Sequence, residues 1–150
     1  MSGISERLLV DTACVVTGLL ALWQGGPAER RAALIVLANA VFTEASHWML
    51  PQLDSLLRIF NDGTAAAVLL FITLRYGALW TGGVMLFFAA QFGLHSYYLV
   101  LERRDGDYIH ALVNNLDWTG IILCLLTGTL TAWLDRRRGD RVAEVEFAAP

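Results

Sequence analysis

Residues 84–101, VMLFFAAQFGLHSYYLVL, decide the fold class of this 150-residue chain. The stretch is close to the roughly 20 apolar residues that a helix needs to cross about 30 Å of hydrocarbon. It nevertheless carries Gln91 and His95 in its interior. We therefore predict a membrane-spanning helix, and the two polar side chains are the feature that its environment has to explain.

The composition extends this interpretation to the whole chain. Hydrophobic residues make up 56% and charged residues 17%, and the mean hydropathy is +0.52. A soluble domain of this size leaves much of its surface in water and is less apolar. The eleven basic residues are all Arg and occur in short clusters between apolar runs, which does not favour nucleic-acid binding. The expected surroundings are the lipid bilayer, with no nucleic acid.

Apolar segments recur along the chain and predict an all-α, polytopic transmembrane bundle of about five spans. The first is not expected to be a cleavable signal, because Asp11 interrupts it and no A-x-A-like site follows. The two Cys residues, Cys14 and Cys124, lie inside apolar segments and are interpreted as structural. The segments cover residues 8–23, 32–50, 64–74, 84–101 and 109–134.

The third segment has the least certain bounds. Residues 52–63, QLDSLLRIFNDG, show helical spacing and are either an interfacial amphipathic helix or the first turns of the third span. The span could instead extend through Trp80. Thr-Gly-Gly at 81–83 predicts a tight turn before the fourth span. The expected organisation is a bundle at 1–135 and a short charged cytoplasmic tail at 136–150.

The distribution of Arg orients the predicted bundle. With five spans, four Arg lie on the side of the N-terminus and seven on the other side. The positive-inside rule then places the N-terminus outside and the C-terminus in the cytoplasm. This pattern predicts a multi-pass protein of a bacterial inner membrane. The two sets are Arg7, Arg58, Arg103 and Arg104 against Arg30, Arg31, Arg75, Arg136, Arg137, Arg138 and Arg141.

Polar residues inside the predicted spans concentrate in the outer half of the bilayer. Within each helix they recur at spacings of three or four residues and so share one face. Because intramembrane ionisable groups are costly in lipid, these faces are expected to meet in a polar cluster or ligand-binding pocket that opens outwards. The candidate residues are Asp11, Glu44, His47, Gln91, His95, Asn114 and Asp117.

The same residues also permit a purely structural interpretation. Polar side chains hold membrane helices together. A hydrogen bond from Gln91 to Asn114, or from His95 to Glu44 or Asp117, would fix the packing of the bundle. This alternative and the binding alternative stay open at the level of sequence.

Small residues offer a second packing element on the fourth span. Ala89 and Gly93 form a small-xxx-small pair beside the stripe of Gln91 and His95. Such pairs allow close helix approach in membranes. The pair is therefore expected to contribute to helix packing in the bundle. Separately, exposed apolar helices and a low share of soluble mass favour association with other membrane protein subunits or self-association.

Metal and haem sites are considered from three residues. Glu44-x-x-His47 is half of the repeated motif found in di-iron bundles, and only one copy is present. His47 and His95 lie on different helices at similar depth and could ligate haem b. No cofactor is expected, and a metal ion held by these residues or haem b is the alternative.

Catalytic motifs are not found in the sequence, which has no HExxH, GxSxG, P-loop or GxGxxG pattern. His95 with Asp117 could act as a general base pair. Thr43, Ser46 and Ser96 are the nearest hydroxyls, and each is more simply a helix-packing group. The chain is not expected to be an enzyme.

An ordered set of polar residues runs through residues 60–120: Asp62, Arg75, Gln91-x-x-x-His95 after a Phe-Ala-Ala run, Tyr108 and Asn114. This order resembles that of small uncharacterised membrane proteins encoded in alphaproteobacterial genomes and prophages. The resemblance implies no catalytic residue. It brings a holin-like role into consideration, since holins are small multi-span proteins with charged C-termini.

We therefore expect a structural or accessory subunit of a membrane assembly. The alternatives are an ion or small-molecule binding or transport protein that uses the polar pocket, a phage holin, and a haem or metal-binding redox protein.

Overall fold

The computed structural model of the chain describes residues 2–101 and 107–148, with side chains from 8–101 and 107–138. Within these residues the chain is helical and contains no strand, which confirms the prediction of an all-α fold. Four helices are long and apolar enough to cross a membrane, and the first contributes a shorter apolar segment, Leu8–Gln24. The helices are α1 Ser2–Gln24, α2 Pro27–Met49, α3 Asp54–Tyr76, α4 Leu79–Val100 and α5 Tyr108–Ala148.

Short connections force the first four helices to run antiparallel. Two residues join α1 to α2, four join α2 to α3, and two join α3 to α4, so that no crossover is possible. Pro27 occupies the first turn of α2, where its fixed φ suits the helix and its missing N–H is not needed. Gly77 ends α3 with a φ of 64°, a left-handed conformation that favours glycine.

The predicted turn at residues 81–83 is wrong. The reversal occurs at Gly77 and Ala78, and residues 81–83 belong to the first turns of α4. Thr81 starts the helix by donating from Oγ1 to the carbonyl of Ala78, over 2.6 Å. Gly83 allows a close approach to α5, because a Cβ there would lie 2.7 Å from the sulfur of Cys124.

The third span includes the amphipathic stretch before it and does not extend through Trp80. α3 runs without interruption from Asp54 to Tyr76, so residues 54–63 form its first turns. Asn61, Asp62 and Gly63 have low helix propensity. Hydrogen bonds to α2 offset this, because Asn61 donates to the carbonyl of Asn39 and to Thr43 Oγ1.

The fifth helix is longer than its apolar segment. α5 continues to Ala148, and the helical backbone therefore passes through residues 136–148 of the predicted tail. Arg136 donates a hydrogen bond to the carbonyl of Gln24 at the end of α1. The predicted loop at 102–106 and the last two residues, 149 and 150, lie outside the described residues.

The helices form a closed ring in chain order. Each helix packs against the next, and α5 returns to pack against α1, while α2 also touches α5. In one half of the bundle the interior is dry and filled by apolar side chains. The largest of these are Phe88, Leu69, Ile121, Leu125, Val36 and Val84.

Small residues bring α4 and α5 together, but not those that the sequence indicated. Gly128 packs under the Trp80 indole, where a Cβ would lie 2.4 Å from the ring. Gly93 and Ala89 are exposed, and a Cβ on Gly93 would meet no atom within 4 Å. The expected packing role of Ala89 and Gly93 within the bundle is therefore wrong, because they lie on its outer surface.

Candidate functional site

A cavity of about 950 Å³ occupies the other half of the bundle, and all five helices line it. Its lining residues come from the N-terminal halves of α1, α3 and α5 and from the C-terminal halves of α2 and α4. In an up-and-down bundle these halves lie at the same end. The dry apolar core therefore closes the cavity on one side, and the cavity belongs to the end of the bundle that carries the N-terminus of α1.

The cavity extends to about the middle of the bundle. Asp62 lies eight residues inside α3, which is about 12 Å from the start of that helix. Gln91 lies nine residues before the end of α4, or about 14 Å. Asn39 is at a similar depth on α2, and all three line the cavity. We call Asn39, Asp62, Gln91 and His95 the floor residues.

A hydrogen-bonded group joins three of the floor residues. His95 Nδ1 lies 2.8 Å from Asp62 Oδ2, and Asn39 Nδ2 donates to Asp62 Oδ1 over 3.1 Å. All three side chains are at least 92% buried. Because an ionised carboxylate only accepts hydrogen bonds, Nδ1 of His95 carries the proton, and in a neutral imidazole Nε2 then presents a lone pair.

Buried polar atoms without a partner surround this group. Among the described side chains, Gln91 Nε2, His95 Nε2, Asn39 Oδ1 and Asp117 Oδ2 are buried and make no hydrogen bond. Gln91 is 1% exposed. Most buried polar atoms in proteins have at least one partner, so four unpartnered atoms in one region need an explanation.

Six of the seven residues that the sequence indicated line this cavity. They are Asp11, Glu44, His47, Gln91, His95 and Asn114. The seventh, Asp117, is buried but lies outside the lining. Asp11, Glu44 and His47 are exposed, and Glu44 and His47 lie in the last two turns of α2.

The expected hydrogen bonds differ from those in the structure. His95 Nδ1 bonds to Asp62 rather than to Glu44 or Asp117. Gln91 Nε2 makes no hydrogen bond within the described part of the chain, and so it does not donate to Asn114. The reason is the rotation of α3, which turns Asp62 towards α4. Asp62 thus takes the place beside His95 that the sequence analysis gave to Glu44 or Asp117.

The connection between α2 and α3 forms the rim of the cavity on one side. Asp54, the first residue of α3, accepts hydrogen bonds from Ser46 and Arg58 and lies 3.1 Å from His47 Nδ1. Its ion pair with Arg58 Nη2 spans 2.9 Å. The single guanidinium of the cavity lining is therefore already paired with a carboxylate.

Aromatic rings continue from the floor towards the end of the bundle. The His95 and His110 rings are 5.3 Å apart between centroids, and Tyr98 lies edge-on to His110 at 4.7 Å. Tyr98 donates from its hydroxyl to Asp107 Oδ2 over 3.2 Å. These contacts hold α4 against the first turn of α5 beside the cavity.

Asn39, Asp62 and His110 belong to the site but were not among the seven candidate residues, although Asp62 stands in the ordered set of polar residues at 60–120. For Asp62 a signal was present, since Asp54, Arg58 and Asp62 recur every four residues and so share one helix face. The signal was not used because the start of the third span was left open, with residues 52–63 either an interfacial helix or its first turns. For Asn39, a lone amide in an apolar helix, no comparable pattern existed.

The metal-ligand candidates do not converge. Within the described side chains, no three His, Cys, Asp or Glu residues lie close enough together to hold a metal ion. His47 and His95 each have Nδ1 bonded to a different Asp. Glu44, the third candidate ligand, lines the same cavity as these two histidines.

Comparisons with family models, curated proteins and solved structures found no match to this chain. Its function must therefore be argued from the geometry of the cavity.

Proposed function

We propose that this multi-pass membrane protein binds a small polar ligand in the cavity and serves in its transport or sensing. The observation that carries the proposal is the set of unpartnered polar atoms on the cavity floor, above all Gln91 Nε2 and His95 Nε2. A buried polar group without a partner costs about 1–3 kcal/mol. A bound ligand that supplies the missing partners would offset this cost.

The size and position of the cavity support the same function. Its volume of about 950 Å³ lies within the range of about 300–1,000 Å³ typical of small-molecule sites. Sites between the helices of a bundle are common, and transporters hold their substrates near the middle of the bilayer. The floor residues lie at about that depth.

A packing role accounts for only part of the cluster. The bonds of Asp62 with His95 and Asn39 join α3, α4 and α2, as helix-stabilising hydrogen bonds do. Gln91 joins nothing through its Nε2. Its burial is therefore better explained by a ligand than by packing.

The membrane and the orientation belong to the same proposal. The excess of Arg on the side of the C-terminus favours a cytoplasmic C-terminus. In a bacterial inner membrane the cavity would then face the outside of the cell, and its ligand would come from there.

Replacement of Gln91 by Leu tests the proposal, since the two side chains are similar in size. If Gln91 serves a ligand, Gln91→Leu removes an unpartnered amide, and the melting temperature of the purified protein is unchanged or raised. If Gln91 serves packing, the melting temperature falls. Ala90→Leu, at an exposed position next to it, is the matched control for a leucine on the same helix.

A binding measurement completes the test. The purified chain in detergent is screened by thermal shift against small amines, carboxylic acids, sugars and inorganic ions. At least one class should stabilise the wild type and fail to stabilise Gln91→Leu. A destabilised Gln91→Leu together with no stabilising class overturns the proposal.

A second candidate function, an accessory subunit of a membrane assembly, is favoured by the length of α5. The helix continues through residues 135–148, beyond the apolar segment. Fourteen helical residues extend about 20 Å, far enough to reach a partner outside the bilayer. Truncation after Arg138 should abolish co-purification of partner subunits in mild detergent, and unchanged co-purification contradicts this role.

A further inference from the structure

We infer that the ligand of the cavity is a protonated amine with an apolar body, an inference that rests on the proposed binding function. Three features of the cavity carry it: the hydrogen-bonding character of the floor, the charge of the walls and the side chains that form the apolar surface.

The floor presents hydrogen-bond acceptors in fixed orientation. Asn39 donates from Nδ2 to Asp62, so that its unpartnered Oδ1 is an acceptor. The bond to Asp62 likewise places a proton on His95 Nδ1, and in the neutral imidazole the unpartnered Nε2 is then a lone-pair acceptor. Two unpartnered acceptors on residues that bond to the same carboxylate suit a ligand group with several N–H bonds, such as an ammonium.

The charge at the floor is negative. Asp62 is 3% exposed, and its two described partners are an amide and an imidazole. Among the side chains that the structure describes, Arg58 is the one Arg in the cavity lining, and it forms an ion pair with Asp54. A buried carboxylate without a formal cation is costly, and a cationic ligand at the floor would reduce that cost.

The charges of the other lining residues also favour a cationic ligand. The lining residues that the structure describes include four carboxylates, those of Asp11, Glu44, Asp54 and Asp62, and one guanidinium. An anionic ligand would meet this excess of negative charge.

The apolar part of the lining suits an apolar body next to the ammonium. Trp118, Trp48 and three valines line the cavity. Indole faces attract organic cations, and apolar walls bury the carbon atoms of a ligand. Gln91 Nε2 is the single unpartnered donor of the floor, and it can donate a hydrogen bond to one acceptor oxygen on the same ligand.

Matched probes test the inference on the full chain in detergent. They are 2-phenylethylamine, its neutral isostere 2-phenylethanol, the anion 3-phenylpropionate and the trimethylated ammonium of the same amine. Calorimetry at neutral pH should show the primary amine binding at least about tenfold more tightly than each of the other three. The trimethylated probe keeps the charge but has no N–H to donate.

Each other result overturns the inference. Equal or tighter binding of the alcohol or the anion rejects a cationic ligand, while it leaves the proposed binding function intact. Equal binding of the trimethylated probe rejects the contacts to His95 and Asn39. No binding of any probe rejects the amine, and the screen with Gln91→Leu then decides whether the cavity binds other classes.

Variants locate the binding site. Asp62→Asn should weaken binding of 2-phenylethylamine by about tenfold or more, while Asp135→Asn, at a residue 75% exposed outside the cavity, should not change it. If Asp62→Asn does not fold, the comparison of the four probes on the wild type still decides. Unchanged binding by a folded Asp62→Asn protein overturns the inference.

Discussion

His95 Nδ1 and Asp62 Oδ2 lie 2.8 Å apart, 33 residues from each other in the chain, and they connect α4 with α3 inside the bundle. Both side chains are buried. The pair fixes the proton position of the imidazole, and through it the face that the cavity presents to a ligand.

Removal of one partner of this pair should cost more than removal of both. His95→Phe leaves a buried carboxylate without its main donor, and we expect a loss of about 1–3 kcal/mol in the free energy of unfolding. The double variant His95→Phe with Asp62→Leu should recover most of that loss, because no unpaired charge remains. Reversible unfolding in mixed micelles measures both values. If the double variant loses as much unfolding free energy as the two single variants together, the two residues are not directly coupled.

Cys14 gives a chemical probe of the cavity charge. It lines the cavity, whereas Cys124 lies against Gly83 in the contact between α4 and α5. In a Cys124→Ala background, a cationic methanethiosulfonate should modify Cys14 severalfold faster than an anionic one of similar size, because carboxylates line the path. The same rates for both reagents, or a faster anionic reagent, would count against a negative cavity. Mass spectrometry follows the reaction.

The orientation in the membrane can be checked with two single-cysteine proteins in a background that lacks Cys14 and Cys124. Gln52→Cys lies in the connection of α2 to α3, and Leu79→Cys at the start of α4, at the opposite end of the bundle. A membrane-impermeant maleimide added to intact bacterial spheroplasts should label position 52 and spare position 79. The reverse pattern would place the cavity on the cytoplasmic side.

Two glycines should respond differently to the addition of a methyl group. Gly128→Ala would place a Cβ 2.4 Å from the Trp80 ring, and we expect a loss of about 1–3 kcal/mol from overpacking. Gly93→Ala meets open space and should be neutral or slightly stabilising, since alanine favours the helix. Trp80→Phe added to Gly128→Ala should restore part of the loss. Equal unfolding free energies for the two single variants would contradict the α4–α5 contact.

The fold class follows from hydropathy alone, because helices are the structures that satisfy every backbone group in lipid. The length of each apolar run therefore predicts a helix. Helix ends are less visible. Residues 61–63 have low helix propensity, yet the helix continues because Asn61 bonds across to α2, a tertiary contact that no local pattern reveals.

The site could be predicted only in its general location. Spacing places Gln91 and His95 on one face of their helix. The distribution of Arg orients the bundle, and the other polar residues then fall in the outer half of the bilayer. The partner of His95 depends on how far each neighbouring helix is rotated. Rotation is set by packing in the dry half, by contacts such as Gly128 with Trp80, and so Asp62 was not recognised as that partner.

The closure of the ring by α5 has a consequence for biogenesis. α5 is synthesised after the other four helices and packs against α1, and it contributes one wall of the cavity. Until then the polar side chains of α2, α3 and α4 face an open groove in the bilayer, where exposed polar groups are costly. A chain that ends before Tyr108 would therefore expose Asp62 and His95 to lipid, at a free-energy cost that the packing of α5 removes.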